Sequence, residues 1–412
     1  MPPSPSPSTT PVRTTNPPTG PTTRAPVLVA TLVAAVILAV GQLYLTVPLL
    51  TGVADRYGVT LSAASWVGGG FGFAFALGNL VFGTISDRYD RRRVMAFGLA
   101  AGAVVGVVAG ASTAFGPLLA ARVVQGFLAA AIPSVSLAYA AEALPPARRA
   151  VGVTAVSGSF LLAGLIGQAY ALGVDQAVGW RWVFWLVVPA LLAVALAVTR
   201  LPEVPRPTPT TPATTFTRFG ELLRRPPLLV AYAGAITLLL TFVGMYTALT
   251  TTVGQRYGIH DAADLLLLRL PGLPGIALGL FAGPLITRFG PHRVAPAAFL
   301  VAAAGLALEA ASTTLPVLLV GSAVFVAGLA VTIPALVALV GRAAGEARGA
   351  ALAGYGFLVG LGGGISPVLV TALAPAGFAA VCLTLAALLL LAAAVLVLGP
   401  RPAPPSAPNP AA

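Results

Sequence analysis

The chain contains no lysine. All 23 of its strongly basic residues are arginine, only eleven residues are acidic, and 8% of the 412 positions carry charge. A water-soluble domain carries about 25%. With 58% of the residues hydrophobic, no core-and-shell arrangement in water covers this chain, and lipid is its expected solvent. Without lysine there is no phosphate loop of the form GxxxxGK[ST], which excludes ATP-driven pumping by this chain alone. The lack of lysine itself reads as base-composition bias. The single cysteine, Cys382, lies in an apolar run and gives neither a disulfide nor a metal site. His260 and His292 fall in expected loops, too far apart to form a motif. No cofactor and no metal are expected. The net charge of +12 does not point to nucleic acid, because most arginines lie in short loops between apolar runs.

What is present is a series of long apolar runs. About 20 apolar residues cross a bilayer as a helix. By that measure the expected fold is all-α and polytopic, with twelve spans at 27–50, 62–85, 93–112, 115–141, 151–173, 181–199, 228–252, 264–286, 293–311, 315–340, 350–373 and 376–398. Residues 1–26 are rich in Pro, Ser and Thr and read as a disordered tail rather than a signal peptide. Residues 399–412 read as a second tail. The loops after even-numbered spans, with both tails, hold eighteen arginines. The loops after odd-numbered spans hold Arg56, Arg181 and Arg256, and Arg122 and Arg269 lie within spans. Arginine excess marks the cytoplasmic side, so both termini are expected inside a cell membrane. The longest loop, 200–227, is a Pro/Thr linker followed by a possible basic amphipathic helix at 216–225. It divides the chain into bundles at 27–199 and 228–398.

The two bundles repeat. TGVADRYGV at Thr51 matches TTVGQRYGI at Thr251. Gly83, Arg88 and Arg93 match Gly283, Arg288 and Arg293. Ser112-Thr113 matches Ser312-Thr313, and Leu118-Leu119 matches Leu318-Leu319. All share an offset of 200 with no gap. Each half holds an even number of spans, so the halves relate by an axis along the membrane normal.

Three stretches carry a resemblance. The loop after span two reads GTISDRYDRRR, with six charges in a chain that has few. Span four holds LLAARVVQGFLAA, and span six begins with GWRWVFW at 179–185. Together with the repeat they resemble the major facilitator superfamily of secondary transporters, over about 27–398, and within it the twelve-span drug:proton antiporter branch. In the family's loop signature a second glycine stands where this chain has Asp90. The span-five antiporter pattern, Gly-Pro then Gly-Gly, is reduced to Ala163-Gly164 then Gly167-Gln168.

The resemblance implies a cytoplasmic gate of Gly83, Asp87, Arg88, Arg91, Arg92 and Glu142 that latches the halves. Asp87 ends span two, where the helix dipole disfavours a carboxylate, and the start of span eleven near Ala350 can supply a positive end. The bare alternative is loop charges that obey topology. Arg122 lies about 10 Å deep in span four, and an ionised side chain at depth is by default functional. It is a candidate for proton coupling or anion handling; the alternatives are capping neighbouring carbonyls or snorkelling. Arg269 follows the same logic nearer the surface, and Asp264 can simply pair with it. Gln42, Tyr44, Gln125, Gln168, Thr241, Tyr246, Thr247 and Tyr355 are candidates to line a cavity. No carboxylate stands in the middle of a span: Glu142, Asp264 and Glu309 all lie near span ends.

The expected function is proton-coupled export of small lipophilic compounds, by a monomer whose partners are substrate, protons and the bilayer. The alternative is uptake or facilitated transport of a metabolite or sugar. A membrane enzyme needs a nucleophile with a base inside the bilayer, and none is present. A sensor that kept the fold is a more remote alternative.

Overall fold

The computed structural model describes residues 24–204, 220, 222, 224–257, 268–344 and 348–400. Among them every regular element is a helix. Eleven helical stretches are long and apolar enough to cross a membrane, or twelve if one bent pair is a single span. In order they are Ala25–Tyr44, Leu61–Ser86, Arg91–Ala111, Phe115–Ala143, Pro146–Val178, Trp180–Thr199, Pro226–Leu249, the pair Gly272–Leu278 and Ala282–Phe289, then Pro291–Ala311, Leu315–Ala344, Ala350–Ala376 and Phe378–Leu398.

Two boundaries correct the sequence reading. Span one was expected to run to 50 but stops at Tyr44. Pro48 has no N–H for the Tyr44 carbonyl, and its ring would clash with that carbonyl in a continuing helix. The N–H of Val47 donates to it instead, at 3.2 Å. A separate helix, Leu50–Tyr57, follows and ends on Gly58 at φ 61°, a left-handed position that favours glycine. Span eight was expected as one rod. It bends by 42° through a short 3-10 turn at Gly279–Phe281. Pro284 has no N–H to give the carbonyl of Leu280, so the helix cannot pass straight through. Residues 264–267 of that span, with Asp264, lie outside the described residues. So do most of both tails, most of the expected helix at 216–225, and the side chain of Arg256.

The repeat seen in the sequence is present in three dimensions. Spans three and nine end at Ala111 and Ala311, and spans four and ten begin at Phe115 and Leu315. Ser112 and Ser312 cap the two ends with ψ of 128° in both. In the first half span one packs on five, two on four, and three on four and six; in the second half seven packs on eleven, eight on ten, and nine on ten and twelve. These are equivalent pairs. Between the halves, span two lies along span eleven, and span five meets spans eight and ten.

Small residues set how closely the halves approach. A Cβ on Gly72 would stand 2.4 Å from the Gly364 Cα, and one on Gly360 would stand 2.9 Å from the Ala76 Cα. A Cβ on Gly83 would touch that of Ala353 at 3.3 Å. The contact therefore runs most of the length of spans two and eleven. Lipid tails are as apolar as leucine, so such helices associate through close backbone packing. Replacing Gly72 with leucine is expected to cost about 1–3 kcal/mol of overpacking, read as a lower melting temperature of the purified protein in detergent. Gly102→Ala is the control, since its Cβ meets nothing within 4 Å. An unchanged melting temperature for Gly72→Leu would show that the halves do not depend on this approach.

Candidate functional site

Four groups of residues stand out in a molecule with so little charge. The first is the arginine-rich loop between spans two and three, at what is here termed the basic end. Asp90 explains the departure from the family's glycine. Its carboxylate accepts the Arg92 backbone N–H at 3.0 Å and so caps span three. It also takes the Arg92 guanidinium at 2.6 Å. That guanidinium reaches on to the Leu201 carbonyl at 2.7 Å and to Glu203 at 2.6 Å, which pins the end of span six to the loop. The second half has no such cap: Gly290 stands there at φ 79°. The Arg92 side-chain bond holds the Asp90 carboxyl below the usual carboxylate range. Arg91 pairs with Glu142 at 2.8 Å, tying span three to span four within the same half. Gly83 of the expected gate stands against Ala353 of the other half. Arg88 is exposed. Asp87 stands in the last turn of its helix, and its side chain lies outside the described residues.

The second group surrounds Arg122, which is fully buried. Its Nη1 donates to Gln125 Oε1 at 2.6 Å, and its Nη2 donates to the Gln42 backbone carbonyl in span one at 2.6 Å. Gln125 Nε2 in turn donates to Gln42 Oε1 at 3.2 Å. The guanidinium stands 4.4 Å from the Phe71 ring and 5.8 Å from that of Phe184. Desolvated cation–π contacts are worth about 2 kcal/mol, and hydrogen bonds from a charged donor about 1.5–3 kcal/mol. Arg122 thus caps a neighbouring carbonyl and does not snorkel. Its Nε has no partner among the described residues, and its two partners Gln42 and Gln125 line a small void together with Gly102 and Leu191.

The third group closes the seam between the halves at the end remote from the loop of span two. Tyr44 of span one meets Phe242 of span seven edge-on at 5.8 Å, and Phe242 meets Tyr246 at 5.1 Å. All three are fully buried. Gly164 of span five lies under them: a Cβ there would stand 2.4 Å from the Phe242 ring. The pair Gly167 and Gly41 brings spans five and one together, with a Gly167 Cβ 2.7 Å from the Gly41 carbonyl. Arg269 of span eight donates from Nε to Gln168 Oε1 of span five at 3.1 Å. Arg269 was expected near the surface and is 3% exposed, because the bend of span eight lays it against span five. Toward the basic end the same span five presents Gly158, where a Cβ would meet nothing within 4 Å.

The remaining expected cavity residues do not converge. Thr241 and Thr247 donate to carbonyls one turn back on their own helix, both at 2.8 Å. Tyr355 is half-buried in span eleven. The fourth group was not foreseen. Glu309, near the end of span nine, is fully buried, and the thiol of Cys382 in span twelve stands 3.8 Å from its Oε2. Its distance from the helix end is legible from its position, but not which face it presents.

The family model described as Major Facilitator Superfamily matches residues 32–278 and 248–412. The chain belongs to the major facilitator superfamily. As a member it is a multi-pass membrane protein. It is similar to a probable transporter of Streptomyces coelicolor, 31% identical over 289 residues, which cover 66% of this chain and 64% of that one. It is also similar to the multidrug export protein EmrB of Escherichia coli, 26% identical over 144 residues, which cover 35% of this chain and 28% of that one. The chain therefore spans less than two thirds of either relative. Among solved structures the human organic anion transporter MFSD10 superposes with a TM-score of 0.70 at 20% identity, over 92% of this chain and all of that one, a likeness of fold.

Two outcomes follow for this superfamily member. Asp90→Asn keeps a capping oxygen but loses the charge-assisted bond to Arg92, and is expected to lower stability by about 0.2–1 kcal/mol at neutral pH. The native Asp90 pKa is depressed, so its contribution is full above the unfolded value and fades as pH falls through the native one. The gap between wild type and variant in thermal unfolding should close on acidification; a gap independent of pH contradicts the assignment. Arg269→Gln is expected to loosen the seam at Gln168. Spin-label distances between spans five and eight at that end should then lengthen or broaden, and an unchanged distribution removes Arg269 from the seal.

Proposed function

We propose that this transporter exports small, largely apolar compounds by alternating access, and that protons moving inward drive it. The observation that carries the reading is the seam. Spans two and eleven stay packed through glycine, while the opposite faces meet through a thin layer of Tyr44, Phe242, Tyr246 and the Arg269–Gln168 hydrogen bond. A bundle built as two equivalent halves can rock about such a seam and open one end at a time. If the arginine-rich end faces the cytoplasm, the sealed end faces outward and this conformation is closed to the outside.

The interior chemistry favours an apolar cargo. Gln42, Gln125, Thr241 and Thr247 make hydrogen bonds within the protein, and a sugar would need such groups free. Similarity to a multidrug exporter supports the same class. Facilitated transport or uptake is the second reading, favoured by the altered span-five pattern, where Gln168 replaces a glycine of the antiporter form.

The test is flux in sealed vesicles of purified protein under an imposed pH gradient, with lipophilic cations, neutral drugs and sugars as a panel. Gradient-driven movement of a lipophilic compound, at least tenfold lower in Arg122→Ala, is the expected result. Downhill flux that ignores the pH gradient would replace proton coupling with facilitated transport. Normal pH-driven flux in Arg122→Ala would remove Arg122 from coupling.

A further inference from the structure

Transport driven by protons needs a group that binds one, and the sequence places no carboxylate in the middle of a span. The structure supplies a carboxylate that position alone does not reveal. Glu309 lies only about 3 Å from the end of span nine by helix rise, yet its exposure is 0%. It is enclosed because spans ten and twelve both pack on span nine. Gly321 of span ten gives it room: a Cβ at Gly321 would stand 2.8 Å from Glu309 Cγ. Among the described residues Oε1 is buried without a hydrogen-bond partner, and Oε2 is met by the Cys382 thiol at 3.8 Å, a weak donor. Spans eight, ten and twelve pack on span nine, and span eight's Arg288 stands in its last turn, at the basic end. Span twelve offers Cys382. Span ten offers Ser322, which does not titrate, and its Arg342 lies at the far end of the helix. Span seven offers Tyr246, a buried hydroxyl of the seal that carries no positive charge. Span nine's own His292 and Arg293 stand at its other end. No arginine is within ion-pair distance of Glu309 among the described residues.

An ionised carboxylate so enclosed, with one oxygen unpartnered, is among the costliest arrangements in a protein, and such a group takes up a proton instead. We propose that Glu309 is the proton-binding site of this transporter, loaded in the conformation described here. Release requires water to reach it. The O–H bond then breaks, the proton passes to water, and the electron pair stays on the carboxylate, which must be hydrated or paired to persist. Access from the sealed end is short, because only the last turn of span nine separates Glu309 from that surface. The seal of Tyr44, Phe242 and Tyr246 lies toward the same end of the molecule as Glu309, so water admitted by opening that end reaches the site. That arrangement links proton binding to the halves' movement. The inference deepens the proton-coupled reading above and depends on it for its role in transport.

The experiment pairs two readouts on wild type and Glu309→Gln, which keeps the shape and hydrogen-bonding pattern of the protonated acid. Infrared spectroscopy of the purified protein at neutral pH reads the carbonyl stretch of a buried protonated carboxyl. Liposome flux reads ethidium, a lipophilic cation, both as exchange at equal concentrations and as accumulation under a pH gradient. The expected result is a protonated-carboxyl band in wild type that is missing in the variant. The variant should also keep exchange and lose gradient-driven accumulation by at least tenfold. An identical band pattern in the two proteins overturns the proposal, and so does a variant that accumulates ethidium as wild type does. A wild-type protein that shows the band but moves ethidium without regard to the gradient overturns the proton-coupled function and leaves Glu309 as a protonated site.

Discussion

Two bundles of apolar helices in lipid have no hydrophobic reason to hold each other. Water drives soluble cores together; lipid tails do not. What remains is contact between backbones, and contact needs the absence of side chains. Gly69, Gly72 and Gly364 meet that need between the halves, and Gly41 with Gly167 meets it between spans one and five. Dispersion over such surfaces is small per atom and large in sum. It is also reversible at modest cost, because backbone contacts between glycines carry no charge that has to be resolvated when they part. A seam of this kind can hold one arrangement and still exchange it for another.

The scarcity of charge follows from the same solvent. Each ionisable group kept inside must be satisfied by the protein, and the first half shows how. Arg122 gives two guanidinium nitrogens to amide oxygens and lays its face against Phe71. No carboxylate neutralises it among the described residues, so the positive charge is solvated by dipoles and aromatic rings rather than cancelled. Near the surface the chain does the opposite. Arg92 binds Asp90, Glu203 and a carbonyl together, with water available to take up the residual field. Exposed ion pairs there contribute little stability each, but they fix the loop on which span three begins.

Much of the architecture was legible in the sequence. An exact offset of 200 between matching motifs fixed the two-half arrangement, and the helix ends at Ala111 and Ala311 keep that register. Composition gave the spans, since hydrophobic length is what a bilayer selects. The site was less legible. Gln42, Arg122 and Gln125 come together from spans one and four, a convergence that no spacing within one span reveals. Arg269 and Glu309 were judged by distance along their helices, although burial depends on which neighbours cover the face. The bend of span eight turns Arg269 inward, and the packing of spans ten and twelve encloses Glu309. Pro284 signals the first, but a membrane helix tolerates proline in several ways, so sequence alone does not say where the lower half points. Nothing in the sequence signals the second.

The repeat places the asymmetry. At the offset of 200, Arg122 of the first half corresponds to Ser322 of the second, and Ser322 lies beside Gly321, against which Glu309 packs. Where one half keeps an uncancelled cation, the other keeps a small hydroxyl and a carboxyl with an unpartnered oxygen. Equivalent backbones therefore carry opposite electrostatic demands. A cation such as Arg122 is charged at any ordinary pH and offers a fixed field. A carboxyl in a dry pocket has two states separated by one proton, and only one of them tolerates the closed packing. A transporter with two identical halves would have no internal reason to prefer one end open under a given proton load. Divergence at these positions gives one half a constant charge and the other a variable one, and their difference can bias which end of the seam is closed.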